Sequence, residues 1–338
     1  MRMTSFRRPA MAIAGLAAAA LALTACSSSP AADTSDDTAA AGESYTIGIS
    51  QFVQHPALDA AAAGFKQAFE DAGIEVTWEE SNANGDQSTA VSIAQDFASS
   101  APDLVLAIAT PSAQTAAQAI LDIPVLFTAV TDPVEAQLVD SNEAPGGNIT
   151  GTSDAVPDDT LQEQFELLTS LVPDAKKVGI VYASGEVNSQ VQVDAATEVA
   201  EGLGIEIVTK TVTTQNDISA ATEALGDVDA IYVPTDNMVV AGIASLVQVA
   251  ETKQIPVIAA EEGTVEGGAV ATLGIDYTQL GYQTGEMAIR VLQDGEDTAT
   301  MPVEFAKEFS YVVNEAAAER MGVTIPQEIL DQASKVGE

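Results

Sequence analysis

Cysteine, histidine and tryptophan each occur once in the 338 residues. A single Cys excludes an intrachain disulfide and a Cys-ligated zinc site, and a single His excludes the usual multi-histidine metal centres. Basic residues are scarce as well, 12 Lys+Arg against 50 Asp+Glu, which leaves a formal charge of −38. So acidic a chain repels nucleic acid and anionic lipid faces, and neither is an expected partner. Aromatic residues make up only 5% of the chain while hydrophobic residues make up 46%. The core must therefore be built mainly from Ala, Val, Ile and Leu. The length allows one large or two ordinary domains with a sizeable interior.

Enzyme signatures are missing too. The chain has no Gly-x-x-x-x-Gly-Lys, no His-Glu-x-x-His and no Gly-x-Ser-x-Gly with a usable His, so the common phosphate, zinc and acyl-transfer sites have no support. No Gly-x-Gly-x-x-Gly follows the first predicted strand, which removes the case for a dinucleotide. Paired carboxylates can hydrolyse glycosides, but with 50 acids their proximity by chance is cheap. Asn82–Asp86 (NANGD) lacks the alternating acids and terminal Glu of a calcium loop and reads as a loop with a helix cap. No metal, no cofactor and no catalysis are expected.

The N-terminus reads as an address. Arg2, Arg7 and Arg8 precede the apolar run Ala10–Leu23, and Leu23-Thr24-Ala25-Cys26 closes it. That is a signal peptide's layout, too short to span a bilayer comfortably. The last four residues resemble a bacterial lipobox, in which Cys26 is lipidated and the chain is cut before it. Residues 1–25 are thus expected to be removed, and residues 26–44, rich in Ser, Ala, Asp and Thr, to form a solvated tether reaching about 25 Å. Such a protein is anchored to a membrane rather than spanning it.

From Tyr45 the chain alternates β-branched runs with helical patterns: strands at Tyr45–Ser50, Ile74–Glu79, Leu104–Ala109 and Ile123–Ala129, with amphipathic stretches between them. Crossover helices between strands mean a parallel sheet covered on both faces. The second half repeats the plan. Ile47-Gly48-Ile49 matches Val178-Gly179-Ile180 at an offset of 131, and Ala72-Gly73-Ile74 matches Leu203-Gly204-Ile205 at the same offset. Asp86 and Asp217 fit it as well. The expected fold is α/β, with two similar doubly wound parallel-sheet lobes joined by a three-crossing hinge. Crossings are placed at Pro145–Asp154, near Thr272–Asp276, and after Asp294-Gly295. Residues 45–150 with 276–300 then form one lobe, and 151–275 with 301–338 the other.

In such sheets the strand ends and following helix N-termini gather at one edge, where ligands bind. Two lobes set these edges face to face. Lobe one offers Gln51, Phe52 and His55, then Thr110, Ser112 and Gln114, then Thr128, with Asp154 at the crossing. Lobe two offers Tyr182, Asn188 and Ser189, then Thr235, Asp236 and Asn237, then Glu261 with its neighbour Glu262. Hydroxyls, amides and carboxylates of this kind suit a ligand bearing a carboxylate and an ammonium. Thr110 or Ser112 with helix N–H groups would hold the carboxylate, and Asp236 or Glu261 the ammonium. Phe52 and Tyr182 would sandwich an apolar or aromatic side chain. Plain structural roles stand beside these. Thr110, Asp236 and Asn237 also fit helix caps, His55-Pro56 a turn, and Glu261 and Glu262 a solvated face.

The stretches HPALDAA at 55–61, TPSAQ at 110–114, IPVLFTAVTDPVEAQLV at 123–139, PGGNITGTSD at 145–154, IYVPTDN at 231–237 and GIDYTQLGYQTGEMA at 274–288 resemble the ABC substrate-binding family that includes the TrpX-like proteins. The resemblance spans about residues 45–326. It implies a type I periplasmic-binding fold, an extracytoplasmic lipoprotein that delivers a small solute to an ABC permease and its ATPase, a monomer, and in some members an aromatic amino acid ligand. The family's cleft positions fall on Thr110, Ser112, Gln114, Asn188, Ser189, Thr235, Asp236 and Asn237, while Ala260-Glu261-Glu262-Gly263 varies. A lipoprotein that senses a ligand and signals to a membrane partner, and a binder of a non-aromatic amino acid or nucleoside, are the alternatives.

Overall fold

A computed structural model describes residues 44–337 of the chain. The expected signal peptide, Cys26 and the tether up to residue 43 lie outside the described residues. Ser44, expected as the end of the tether, opens the first strand and pairs with Glu75.

The first half builds β1 (Ser44–Gln51), α1 (Pro56–Asp71), β2 (Glu75–Asn82), α2 (Gln87–Ser100), β3 (Leu104–Ile108), α3 (Thr110–Ala119), β4 (Val125–Val130) and β5 (Ile149–Ser153). The second builds α4 (Asp158–Leu171), β6 (Lys177–Ala183), α5 (Val187–Gly202), β7 (Glu206–Val212), α6 (Ile218–Glu223), β8 (Ala230–Val233), α7 (Asn237–Ala241), α8 (Ile243–Lys253), β9 (Val257–Glu261), α9 (Glu262–Glu266) and β10 (Ala271–Ile275). After these come α10 (Tyr277–Ile289), β11 (Glu304–Phe305), β12 (Phe309–Val313) and β13 (Ser334–Lys335). One sheet runs β11-β5-β4-β3-β1-β2 and the other β13-β12-β10-β9-β8-β6-β7. The orders β2-β1-β3-β4-β5 and β7-β6-β8-β9-β10 are the same topology twice. Pairing within both sets is parallel, and only β12 runs antiparallel to its neighbour β10.

The repeat reaches single residues. A Cβ on Gly48 would meet the Phe97 ring at 2.8 Å, and one on Gly179 would meet Leu225 at 2.7 Å. In each lobe the central strand thus lets one large side chain lie on its backbone. Gly73 and Gly204 end α1 and α5 with φ of 69° and 72°, a left-handed turn that a residue with a Cβ resists. Asp86 caps α2 by accepting from the Thr89 amide, whereas Asp217 accepts from the Thr214 amide in a reciprocal capping box.

Each sheet has its own core. Phe65, Phe69, Phe127 and the β3 residues fill the first, and Phe165, Tyr232 and Leu168 the second. Helix α10 lies on α1 almost backbone to backbone. A side chain at Gly281 would run into the Ala61 carbonyl, and one at Gly64 into the Thr278 carbonyl. Residues beyond α10 stay with the first lobe, because the Thr150 hydroxyl donates to the Met301 carbonyl at 2.8 Å and the Val303 amide to Asn142 at 2.7 Å. β11 then pairs with β5. The chain therefore crosses between sheets after Ser153, at Ile275–Tyr277 and between Phe305 and Phe309. The first and third crossings fall a few residues later than the expected boundaries at 150 and 300. The difference arises because β5 needs a neighbour on its outer side, and residues 301–305 supply it.

Candidate functional site

The C-terminal edges of the two sheets face each other, as parallel strand topology requires, and enclose a narrow cleft. His55, Ala57, Leu58 and Ala129 line it from lobe one; Asn188, Thr235, Asp236, Asn237, Val240 and Glu261 line it from lobe two. Asp154 and Tyr277 come from the first two crossings. The void between these side chains is about 10 Å³, the space of one water, so an amino acid reaches it only when the lobes part.

On lobe one the strand ends and the start of α3 present hydrogen-bonding groups without partners. The hydroxyls of Ser50, Thr110 and Ser112 are buried and unpaired, and the buried His55 ring faces the Asn237 side chain. Ala109, immediately before α3, has φ of 79° and supplies no side-chain cap. A non-Gly residue held there is strained, and α3, a helix of 10 residues, begins with bare N–H groups beside two idle hydroxyls. Burial pushes the His55 pKa down to about 4, against the smaller opposing pulls of the Asn237 side chain and the Asp59 charge. The imidazole is neutral.

Lobe two is the reverse: its edge is acidic and its acids are engaged. Asp236 accepts from the Ala183 amide at 2.5 Å, the Ser189 hydroxyl at 2.7 Å and the Val239 amide at 2.7 Å. Glu261 accepts from the Gly263 amide at 2.6 Å, and from the Thr264 amide at 2.7 Å and the Thr264 hydroxyl. Glu186, not anticipated from sequence, accepts from Asn188, from the amide and side chain of Asn237, and from the Met238 amide. Burial raises all three carboxyls, Glu186 to about 8 with the Asp236 charge adding to it, and Glu261 to about 7. Asp154 at the crossing is raised by burial as well, partly offset by the Tyr277 and Thr131 hydroxyls that donate to it.

Seven of the residues singled out in the sequence meet at this cleft: His55, Asp154, Asn188, Thr235, Asp236, Asn237 and Glu261. Ser189 supports Asp236 from behind. Thr110 and Ser112 lie buried in the first turn of α3, outside the cleft lining, and the others lie elsewhere. Gln51 turns into its own lobe, donating to the Val53 carbonyl and to Asp59. Phe52 lines an outer groove with Asn84–Asp86, Thr213–Gln215 and Met238, and the Tyr182 hydroxyl donates to Gln190, so the two rings do not form a sandwich in this disposition. Gln114 holds the loop after β4 by donating to the Ala136 carbonyl, and Thr128 accepts from Thr152 inside the first lobe. Tyr277, Leu58 and Val240 were not anticipated, though GIDYTQLGY places Tyr277 directly after the second crossing.

The ABC transporter substrate binding protein family matches residues 46–337. The chain belongs to that family. Its members carry a small molecule outside the cytoplasm and work with an ABC transporter, on the type I periplasmic-binding fold. A tyrosine-binding protein of Clostridioides difficile is 43% identical over 300 residues, 87% of this chain and 86% of that protein. A Streptococcus pneumoniae domain crystallised with L-Trp is 35% identical with a TM-score of 0.83, and the ligand-free, open structure of a Clostridium difficile substrate-binding protein with adhesive properties is 44% identical with a TM-score of 0.65. Both alignments cover 87% of this chain and all of the other. The order of the scores is opposite to the order of the identities. Among the described residues no helix is long and apolar enough to cross a membrane.

Proposed function

We propose that this family member captures an aromatic α-amino acid between its lobes, closes on it, and releases it unchanged to the permease of an ABC importer. It acts as a monomer, held by lipidated Cys26 to the outer face of a membrane. One observation carries the reading: the sheet edge of lobe one holds buried hydroxyls without partners, Ser50, Thr110 and Ser112, and the cleft at that edge is lined from lobe two by carboxyls with no cation among the lining residues. A zwitterion satisfies both. Its carboxylate goes to the start of α3, with the Thr110, Ser112 and Ser50 hydroxyls, and its ammonium to the acid-lined side. Ala57, Leu58 and Val240 give the side chain an apolar wall, while His55, Asn188, Thr235 and Asn237 close the polar rim. The tyrosine and L-Trp of the two relatives support the aromatic class.

Binding is an equilibrium between open and closed lobes, and the ligand-bound form parts the walls enough to admit the guest. Native mass spectrometry of protein purified without refolding tests this, followed by calorimetric titration with L-tyrosine, L-tryptophan and L-phenylalanine. We expect one amino acid per chain and affinity for at least one of the three. A protein that carries nothing and gives no heat with any of them ends the proposal, and chemical alteration of the bound compound ends its non-catalytic part.

A further inference from the structure

Four buried carboxyls stand around the cleft, and the ammonium of an amino acid needs one. We propose that Asp154, on the first crossing, is the group that binds it; the assignment rests on the amino acid reading above. A carboxylate offers about four acceptor positions. Asp236 and Glu261 each already hold three donors and Glu186 holds four. Half of these donors are backbone N–H groups at the starts of α7 and α9, which cannot turn away, and whose partial positive charge already offsets the carboxylate. Beyond its own backbone amide, Asp154 has two partners, the Thr131 hydroxyl at 2.9 Å and the Tyr277 hydroxyl at 2.7 Å, one on each oxygen. Both can rotate. It opens no helix, it is 3% exposed, and no Lys or Arg lines the cleft beside it. A buried carboxyl so placed gains most from an arriving cation.

The position also couples charge to closure. Asp154 follows β5, Tyr277 opens α10 past the second crossing, and the Thr131 hydroxyl lies 3.4 Å from the Thr235 hydroxyl of lobe two. An ammonium on Asp154 therefore sits where two crossings and both lobes converge.

The test compares each amino acid with its des-amino analogue: L-tyrosine with 3-(4-hydroxyphenyl)propanoate, L-tryptophan with indole-3-propanoate. The full chain is titrated as wild type, Asp154→Asn, Asp236→Asn and Tyr277→Phe, with thermal melts to verify folding. Wild type is expected to prefer the amino acid by about 100-fold or more. Asp154→Asn should reduce that preference to within about fivefold, by weakening the amino acid and not the analogue. Asp236→Asn should weaken both compounds together, and Tyr277→Phe should lower the preference without abolishing it. Equal losses for both compounds in Asp154→Asn, or a preference that disappears in Asp236→Asn, overturn the assignment while leaving the amino acid reading intact. A wild type that binds neither amino acid overturns the reading itself and the assignment with it.

Discussion

The two lobes share one topology, strand for strand, yet their cleft edges are in opposite chemical states. Lobe one holds buried hydroxyls with nothing to bond, at the end of β1 and the start of α3. Lobe two presents carboxyls that each hold three or four donors, half of them backbone N–H groups at its own helix starts, beside one unpartnered acceptor, the Asn188 Oδ1. Duplication therefore preserved the frame and not the function of the edge: one wall is prepared to receive a ligand's acceptors, the other is largely self-satisfied and sets the sign of the field. The contrast teaches that an acid lining a cleft is not thereby a ligand contact. Its existing partners decide.

The largest effect should come from Asp236→Ala. It leaves the Ala183 and Val239 amides and the Ser189 hydroxyl without their acceptor, and we expect a loss of about 2–4 kcal/mol of stability in urea unfolding. Unchanged stability with abolished binding would erase the contrast between the walls. A smaller effect is expected on the opposite wall. Thr110→Val and Ser112→Ala should each weaken the amino acid by about 1–2 kcal/mol while stability stays level or rises, since an idle buried hydroxyl is removed. Titration and melting of the same variants read the two quantities separately. Reduced stability with full affinity would make lobe one a wall of structural hydroxyls.

Smallest is the pH response. Glu186 is held near 8 against an ordinary 4.5, and Glu261 near 7. An acid raised by burial destabilises nothing below pH 4.5, and its burial becomes increasingly unfavourable as pH climbs to the folded value. His55, lowered to about 4 from 6.5, runs the other way, with its penalty absent above pH 6.5 and growing below it. Between pH 6.5 and 8 Glu186 and Glu261 carry the slope. The ligand-free protein should lose about 2–4 °C of melting temperature over that interval, and Glu186→Gln should flatten the trend. A melting temperature that rises across it would mean that the lobe-two acids are not buried as described.

The frame was readable because it is written in backbone terms. Gly48 with Gly179, and Gly73 with Gly204, mark close approaches and left-handed turns that recur 131 residues apart. Turns after strands bring His55, Asp154, Thr235 and Asp236 to the cleft, because parallel topology delivers those turns to one edge. Side-chain direction was not readable. Gln51 and Tyr182 sit at strand ends yet bond within their own lobes, since alternate residues of a strand point to opposite faces. Glu186 was hidden among 50 acids, its role set by Asn237 and Met238 far along the chain. The third crossing was misplaced because nothing local in residues 295–305 shows that β5 lacks a neighbour.

The seating of α10 on α1 through Gly64 and Gly281 has a consequence for how the molecule comes into being. The first lobe, begun at the amino end, cannot finish until residues made after nearly the whole of the second return to it. A growing chain therefore carries an unclosed half while its twin is being assembled, and such distant pairings form slowly. The same interleaving that lets the finished protein bend keeps the newborn one pliable for longer.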